Sequence, residues 1–485
     1  MSKIVILGAG IAGYTAASHL RRKLGKEHEV LVVSPNSNYQ WVPSNIWVGV
    51  GRMKPKEVIF PLAPLYKKKG IGYKQAKAVS FHPEGDMQEN APYVIAEYVV
   101  GENKGKQEKI TYDYLINATG PRLAFDQTEG LNPGENNMYS VCTYGHAEHA
   151  AQGLKELEEK LKNSDKKLKI LIGTGHPKAT CQGAAFEYIL NVENELRRKG
   201  LRDKAEITWI SNEYDLGDFG MDGMLLSYKG LRMKSSEMVE MVFEDRGIRW
   251  ILKAGVTKVE PGKVYYETLD GEYKVEEYDF GMLIPAFAGH PFKAYDKNGE
   301  DITPKLFRGF MVVDADYSEK SYEKWTVQDW PETYQNPHYQ NIYAPGIAFA
   351  PPHSISKPRT SKNGNPIFPA PPRTGMPSGI TAKLVADNII DEIKGIKSSI
   401  HKGSMGNMGA ACIASAGFGL TKGSAVSITT FPIVPDYEKY SKTGGRDIRK
   451  TFGEIGLAGH WVKYALHIGF LWKAKMKPFW WLIPE

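Results

Sequence analysis

A glycine-rich turn near the start of the chain constrains the fold more than any other feature. The turn Gly8-Ala9-Gly10-Ile11-Ala12-Gly13 follows the apolar strand Ile4–Leu7 and leads into a helix that reaches about Lys23. Glycines at this spacing let the backbone approach a pyrophosphate at the N-terminus of the helix. The next strand, Glu29–Val33, completes a βαβ unit. The chain is therefore predicted to open with a dinucleotide-binding Rossmann domain.

The end of the second predicted strand lacks the acidic residue that commonly binds the adenosine ribose in such a domain. The strand runs into Ser34, Pro35 and Asn36, which offer a hydroxyl and an amide but no carboxylate. We therefore expect the ribose to be bound differently, with Ser34 as the candidate contact.

Composition limits the class of protein. With 485 residues, 42% of them hydrophobic, the chain can form two or three packed domains. The net charge of +7 is spread over 62 basic and 55 acidic residues, which argues against nucleic-acid binding and fits a mild attraction to anionic lipid. Three cysteines are too few for a disulfide scaffold. The sequence contains neither an export signal nor an uncharged apolar run of about 18 residues, so we expect no spanning helix. We also expect no metal site.

A second strand–turn–helix unit begins at Leu168–Ile172, and Ala118-Thr119-Gly120 resembles a segment of flavoproteins that bind two dinucleotides. Seven prolines between Pro351 and Pro372 predict a long covering loop. Helix is predicted to resume at Ile380 and to return the chain to the first domain. The expected architecture is α/β with two doubly wound Rossmann-like domains: 1–125 is the first part of an FAD-binding domain, 165–300 the second Rossmann-like domain, 301–430 the return to the FAD domain, and 431–485 a C-terminal amphipathic membrane-binding helical region.

The turn of the second unit departs from a nucleotide fingerprint. It reads Gly173-Thr174-Gly175-His176-Pro177-Lys178, so that Lys178 stands where the third glycine is expected. This position disfavours NAD(P)H binding.

Each of the three cysteines has small or turn-forming neighbours. A single cysteine is more often a small buried hydrophobe than a reactive thiol. Three in such settings, on a chain with a flavoprotein-like start, favour redox chemistry. The cysteines are Cys142, Cys181 and Cys412.

The chain resembles the sulfide:quinone oxidoreductases, flavoproteins of the disulfide-oxidoreductase-like superfamily that are related to flavocytochrome c sulfide dehydrogenase. The matching features extend over nearly the whole chain: Val141-Cys142-Thr143 with His146, Cys181-x-Gly183-x-Ala185-x-Glu187, Arg373-Thr374-Gly375-Met376, Ala411-Cys412-Ile413-Ala414, and the stretch from His460-Trp461 to Trp472-Lys473.

The resemblance implies oxidation of sulfide to sulfur or polysulfide, with electrons passing through FAD to a membrane quinone. It makes Cys181 and Cys412 the sulfur-handling pair, Glu187 a proton-handling group and His146 an acid or base near Cys142. Cys142 is the third cysteine, which in some relatives tethers the flavin or helps to release polysulfide and in others is dispensable. From the residues alone, Glu187 can equally be a solvated helix carboxylate, and His146 a helix-start residue. The FAD contacts implied are Gly8, Gly10, Gly13, Ser34, Pro43, Ser44, Asn45, Thr119, Gly120, Gly346, Thr374 and Gly375, and weaker candidates for the quinone site are Phe418, Val462 and Leu466.

Two positions depart from the family pattern. Asp218 stands where relatives often have a histidine, and Ile347 stands where the superfamily has an aspartate near the flavin. A mechanism that requires that histidine is therefore not expected here.

The C-terminal stretch concentrates aromatic and basic residues between Leu457 and Lys473 and ends with further Lys and Trp residues. Such a pattern predicts an interfacial helix that lies in one leaflet. The alternative is a helix packed on the core or at a dimer interface. We expect a homo-oligomer bound peripherally, as a monotopic protein, to a prokaryotic cell membrane.

Competing functions share parts of this pattern. A type-2 NADH:quinone dehydrogenase, or another FAD-dependent oxidoreductase, would share the fold, but the former needs the nucleotide turn that Lys178 interrupts. Flavocytochrome c sulfide dehydrogenase would require export and a haem subunit. A redox-inactive membrane scaffold that retains FAD is the alternative outside the enzymes.

Overall fold

Two parallel five-stranded sheets form the framework of the molecule. The computed structural model describes residues 1–372, 374–396 and 400–485. Arg373, which belongs to one of the matching sequence features, lies outside the described residues.

The helices cover the faces of the sheets. They are α1 (Ile11–Lys23), α2 (Asn45–Gly49), α3 (Leu62–Lys69), α4 (Tyr144–Asn163), α5 (Gln182–Arg198), α6 (Ser235–Asp245), α7 (Thr303–Leu306), α8 (Gly375–Ile393) and α9 (Leu457–Ala474).

The strands are short and distributed over the whole chain. They are β1 (Lys3–Leu7), β2 (Glu29–Val33), β3 (Asn38–Gln40), β4 (Ile59–Pro61), β5 (Gly72–Lys74), β6 (Ala76–His82), β7 (Tyr93–Tyr98), β8 (Gln107–Thr111), β9 (Tyr114–Asn117), β10 (Arg122–Ala124), β11 (Met138–Tyr139), β12 (Leu168–Thr174), β13 (Ala205–Ile210), β14 (Leu225–Tyr228), β15 (Leu231–Lys234), β16 (Ile248–Ile251), β17 (Ala254–Glu260), β18 (Lys263–Thr268), β19 (Tyr273–Glu277), β20 (Phe280–Ile284), β21 (Ala286–Ala288), β22 (Lys293–Ala294), β23 (Phe307–Arg308), β24 (Phe310–Met311), β25 (Ile342–Tyr343), β26 (Ala410–Gly417), β27 (Gly423–Thr430) and β28 (Phe452–Gly456).

The first sheet has the strand order β25-β9-β1-β2-β5, and all its pairs are parallel. The apolar residues of β1 from Ile4 to Leu7 are fully buried, as expected for a parallel strand covered on both faces. Helix α8 packs against α1, although the two are far apart in the sequence. The first domain is therefore discontinuous.

The second sheet has the order β11-β20-β12-β13-β16 and is also parallel. Helices α4, α5 and α6 pack against its strands. The predicted α/β class with two Rossmann-like units is therefore confirmed.

Several predicted boundaries fall inside sheets. Strand β11 and helix α4, from Met138 onward, already belong to the second unit, which was predicted to begin at 165. Strands β21 and β22 pair with β10 and β6, so the chain returns to the first domain before residue 300. A third sheet, β15-β14-β28-β27-β26, joins residues on both sides of the predicted boundary at 430.

The covering loop and the helix after it differ slightly from expectation. Within the described residues, 351–372 form no helix or named strand, and we call this segment the proline strap. Helix α8 begins at Gly375, five positions before the predicted Ile380. Pro377 is compatible with this start, because the first turn of a helix does not need its backbone N–H.

The predicted helical region 431–485 is helical only in part, because its strand β28 belongs to the third sheet. It contains one long helix, α9, that packs on β26 and β27. Of the helices described, none combines the length and apolarity that crossing a bilayer requires.

Candidate active site

The glycine turn before α1 has the geometry of a pyrophosphate site. A Cβ at Gly13 would lie 2.1 Å from the Gly8 carbonyl oxygen, and one at Gly8 would lie 2.3 Å from the Ala118 oxygen. At Gly10, the N-cap of α1, no described atom lies within 4 Å of the Cβ position, and no described side chain caps the helix. Two glycines thus close the turn, and the third leaves the helix N-terminus open to an anion.

Segments from the second half of the chain meet this turn. Gly346, with φ +74°, has its Cβ position 2.9 Å from the Ala12 Cβ. The Cβ position of Gly375 lies 2.9 Å from Ile11 Cδ1. Gly346 and Thr374 line one cavity, together with Ile347, Ser378 and strap residues Pro371 and Pro372. The structure therefore brings Gly346, Thr374 and Gly375 to the glycine turn.

Thr119 and Gly120 follow β9, the strand next to β1. Thr119 Oγ1 donates to Asn117 Oδ1 at 2.8 Å, and Gly120 has φ +68°. The space around the Gly120 Cβ position is open among the described residues. This pair therefore remains a candidate contact for the cofactor.

The remaining cofactor candidates are more enclosed than expected. Ser34 is fully buried, and its hydroxyl accepts a hydrogen bond from the Asn36 amide at 3.3 Å. Ser44 and Asn45 are also fully buried, whereas Pro43 is half-buried. Asn45 donates to the Val141 carbonyl at 3.1 Å, next to Cys142.

Cys181 has a strained backbone. It is the N-cap of α5, with φ +67° and ψ 33°, a left-handed conformation that is uncommon for a residue with a Cβ. Gln182 donates to Asn212 Oδ1 at 3.1 Å, and Asn212 donates in turn to the Ala179 carbonyl at 3.0 Å. These buried amides hold the loop that presents Cys181.

Cys412 lies on β26, which packs against α5. Its Sγ is 2.9 Å from the position that a Cβ would take at Gly183, two residues beyond Cys181. The structure therefore brings two cysteines that are distant in sequence to the same end of α5. Their pairing in sulfur chemistry stays a prediction.

Glu187 lies one turn beyond Gly183 on the same face of α5, and it is 5% exposed. Its Oε2 lies 2.9 Å from Lys463 Nζ, and its Oε1 accepts from the Ser415 amide at 3.2 Å. Burial raises the pKa of Glu187, and Lys463 and the Ser415 amide oppose that rise. The alternative that Glu187 is a solvated helix carboxylate is therefore wrong.

The surroundings of Cys412 favour its thiol over its thiolate. Burial and the Glu187 charge raise its pKa to about 11, and Lys463 acts in the opposite direction. Forming a Cys412 thiolate thus requires a proton acceptor nearby.

Cys142 and His146 lie at the start of α4. Burial raises the pKa of Cys142 to about 11, and burial lowers the pKa of His146. The His146 amide donates to Thr143 Oγ1 at 3.1 Å, whereas His146 Nδ1 is buried without a partner among the described residues. His146 is therefore a helix-start residue whose ring is still available for a proton-handling role.

The three quinone candidates do not share one surface. Phe418 packs against Trp47 and Tyr464, with ring centroids 5.9 and 5.4 Å apart. Val462 is 48% exposed on the outer side of α9, and Leu466 is half-buried. Phe418 packs on interior rings and Val462 is exposed, so the structure does not bring all three together, and their role in quinone binding stays a prediction.

Asp218, the residue in place of a family histidine, closes a loop. Its Oδ1 accepts from the amides of Gly220, Met221 and Asp222 at 3.0 to 3.1 Å and from Ser356 Oγ of the proline strap. Burial raises the pKa of Asp218 to about 6. These contacts fit a structural role.

The proline strap covers the loop before α5. The Phe368 amide donates to the Pro177 carbonyl at 3.1 Å, and Thr180 Oγ1 donates to the Pro371 carbonyl at 3.0 Å. Helix α5 begins only at Gln182, well beyond Lys178. This loop therefore lacks the short turn and open helix N-terminus that the first domain provides.

Sequence reasoning missed the inner face of α9. His460, Lys463 and His467 are buried there, at positions i, i+3 and i+7. That helical spacing of polar residues was a signal in the sequence. It was obscured because the same helix carries exposed aromatic residues.

Comparison with known proteins supports the resemblance drawn from the sequence. Residues 2–176 match the family model of pyridine nucleotide-disulphide oxidoreductases. Over 472 residues the chain is 29% identical to the sulfide-quinone reductase of Aquifex aeolicus (strain VF5), covering 97% of this chain and 91% of that one. The X-ray structure of the sulfide:quinone oxidoreductase from Aquifex aeolicus matches with a TM-score of 0.71 and 26% identity, over 98% of this chain and 92% of that chain. The resemblance to the sulfide:quinone oxidoreductases is confirmed.

Two further comparisons are consistent with this family. The mitochondrial sulfide:quinone oxidoreductase of Dictyostelium discoideum is 26% identical over 319 residues, which cover 65% of this chain and 61% of that protein. The NDH2 structure from Plasmodium falciparum in complex with NADH matches with a TM-score of 0.62 over 98% of this chain and 96% of that one, but at 14% identity. The latter likeness shows the fold alone.

Proposed function

We propose that the protein is a sulfide:quinone oxidoreductase that uses FAD. The single observation that carries this proposal is the approach of Cys412 to Gly183, which sets two cysteines at one end of α5 in a chain of this family. The overall reaction converts H₂S and a quinone to zero-valent sulfur and a quinol.

FAD fits the glycine turn of the first domain. Gly10 leaves the N-terminus of α1 open, and Gly346, Thr374 and Gly375 meet the same place from the other half of the chain. When bound, FAD would supply storage for two electrons between donor and acceptor. Ser34 and Asn45 are the weaker contacts, since both are buried.

Cys181 and Cys412 would take up the sulfur. Attack of HS⁻ on a disulfide between them breaks the S–S bond, forms a persulfide on one cysteine and leaves the other as a thiolate. Cys181 lies at the N-terminus of α5, and Cys412 on β26 approaches the same end of that helix. Glu187 would accept the proton that H₂S releases when it becomes HS⁻. His146 would serve Cys142, the third cysteine, in the same way.

The outer surface of the C-terminal region would bind the membrane. Its exposed side chains form what we call the C-terminal apolar patch: Trp461, Val462, Ile468, Trp472, Phe479, Trp481 and Leu482. Trp480 is not part of it, because that ring is buried edge-on against His19.

Two cations lie beside the C-terminal region that carries the patch. Arg22 stacks over the Trp481 ring at 4.5 Å, and Lys69, at the basic end of α3, donates to the Met476 carbonyl at 2.8 Å. Half-exposed side chains would each contribute roughly 1 kcal/mol on insertion, about half of the value for full burial. A lipid surface with anionic headgroups is the partner that fits an apolar patch with a basic rim. The quinone would enter from the same side, past Phe418 and Tyr464, and we expect the protein to act as a homo-oligomer.

An anaerobic titration tests the function. Sulfide should bleach the flavin absorbance, a short-chain quinone should restore it, and NADH should do neither, since the proline strap covers the second loop. Bleaching by NADH but not by sulfide would favour a type-2 NADH dehydrogenase. Bleaching by neither donor would favour a redox-inactive scaffold.

The membrane role is tested by flotation with liposomes that contain anionic lipid. Replacing Trp461 and Trp472 by Ser should release the protein, whereas Tyr273→Ser, which removes an aromatic residue 67% exposed on β19, should leave flotation unchanged. Equal flotation of the wild type, the Trp461 and Trp472 variant and Tyr273→Ser would contradict the proposal.

A further inference from the structure

The inner face of α9 carries ionisable groups that helix docking alone does not require. His460, Lys463 and His467 contact Ser415 on β26, Glu187 on α5 and Ser44 before α2, respectively. Apolar side chains at these positions would avoid the loss of hydration that buried polar groups suffer. Helix α9 therefore places one ammonium group and two imidazole rings in the interior, while its outer face carries part of the C-terminal apolar patch.

Glu187 receives donors on both oxygens, from Lys463 and from the Ser415 amide. The titratable groups that face this region are Lys463 and His460 on α9, where His460 bonds Ser415, and Cys412 on β26. An isolated carboxylate at this depth would take up a proton. Within the described residues, Lys463 is the cation in contact with Glu187.

We propose that Lys463 is a positioning residue of the sulfur site: it holds the Glu187 carboxylate ionised and oriented against β26, beside Cys412. This assignment rests on the proposed function, because it gives Glu187 the task of accepting protons there. Lys463 acts through Glu187 and takes no part in bond formation. The sulfur site thus depends on α9, through the contact of Lys463 with Glu187.

The first test measures the ionisation of Glu187 without any substrate. Infrared pH titrations of the full-length, FAD-loaded protein follow the protonated carboxyl band that Glu187→Gln removes. Lys463→Met should raise the titration midpoint by at least about one unit, a tenfold change in the ionisation equilibrium. Lys463→Arg keeps the charge and should change the ionisation equilibrium of Glu187 by no more than about twofold.

Lys473→Met is the matched control. Lys473 lies on the same helix, is equally buried and pairs with Glu485 at 2.7 Å, away from the cysteines. Its replacement should leave the Glu187 midpoint in place. An unchanged midpoint in Lys463→Met, or an equal shift in Lys473→Met, overturns the proposal. If Lys463→Met does not fold, Lys463→Gln takes its place with the same expected rise.

The second test is the pH profile of flavin reduction by sulfide. Lys463→Met should move the acidic limb of the profile to higher pH by about one unit, so that the rate falls up to about tenfold on that limb and recovers as the pH rises and Glu187 ionises. A loss that stays constant at every pH would mean a merely structural role and would overturn the proposal. If wild-type protein is not reduced by sulfide, the proposed function fails, yet the infrared midpoint still tests Lys463 by itself.

Discussion

Gly183→Ala is the sharpest probe of the cysteine geometry. The added methyl group would lie 2.9 Å from Cys412 Sγ, whereas ordinary contacts begin at 3.4 Å. The sulfur atom or the start of α5 must therefore move by about 0.5 Å or more. The backbone of Gly183 is helical, so the substitution introduces no strained dihedral angle.

Two effects on stability oppose each other in this variant. Overpacking costs about 1–3 kcal/mol, and replacing a helical glycine by alanine returns up to about 1 kcal/mol. The free energy of unfolding should fall by about 0–3 kcal/mol, so the protein should remain folded. A displacement of 1 Å at a reacting group can cost about 10²-fold in rate, and a shift of half that size should cost about tenfold.

Gly145→Ala provides the control at the equivalent position of α4. It is the second residue of that helix, as Gly183 is of α5, and no described atom lies within 4 Å of its Cβ position. Stopped-flow flavin reduction by sulfide should slow about tenfold in Gly183→Ala and stay at the wild-type rate in Gly145→Ala. Wild-type rates in both variants would refute the inference that the reacting sulfur lies against Gly183.

Other perturbations follow from the same contacts. Cys181→Ser and Cys412→Ser should each retain FAD by absorbance but lose flavin reduction by sulfide; full activity in either variant would contradict the pairing. Because burial raises the pKa of Glu187, sulfide oxidation should decline as the pH falls through a value above the ordinary glutamate range, and Glu187→Gln should remove that decline along with most of the activity, as measured by pH–rate profiles. The pKa of Asp218 is raised from 3.8 to about 6, so the folded state loses stability between these values as the pH rises. Asp218→Asn keeps the accepting oxygen and should remove this pH-dependent loss of folding stability, which is about 3 kcal/mol. The urea midpoints of the variant at pH 4 and pH 8 should therefore differ less than those of the wild type.

Features specified by neighbouring residues were predictable from the sequence. The strand, glycine turn and helix at residues 3–23 follow from local rules for backbone and pattern, and the structure has them where expected. Helix α8 begins five positions before the predicted Ile380, and its Pro377 lies in the first turn, where proline is tolerated.

Features that depend on distant segments were not predictable in detail. The contact between Cys412 and Gly183 arises from packing of β26 on α5, which no local pattern encodes. Only the outer face of α9 was predictable, from its aromatic residues. The contact of Lys463 was not, because its partner Glu187 lies on another helix. Domain boundaries shifted for the same reason, because strands β21 and β22 pair with strands far earlier in the chain.

The split first domain has a consequence for biosynthesis. During translation β1 and the glycine turn leave the ribosome hundreds of residues before β25 and α8, which complete the same sheet and cover α1. Nascent chains with such distant partners expose apolar surface until the late segments emerge. The nucleotide-binding turn is therefore assembled only at the end of synthesis, and chains arrested before residue 375 should be clients of chaperones that bind exposed hydrophobic surface.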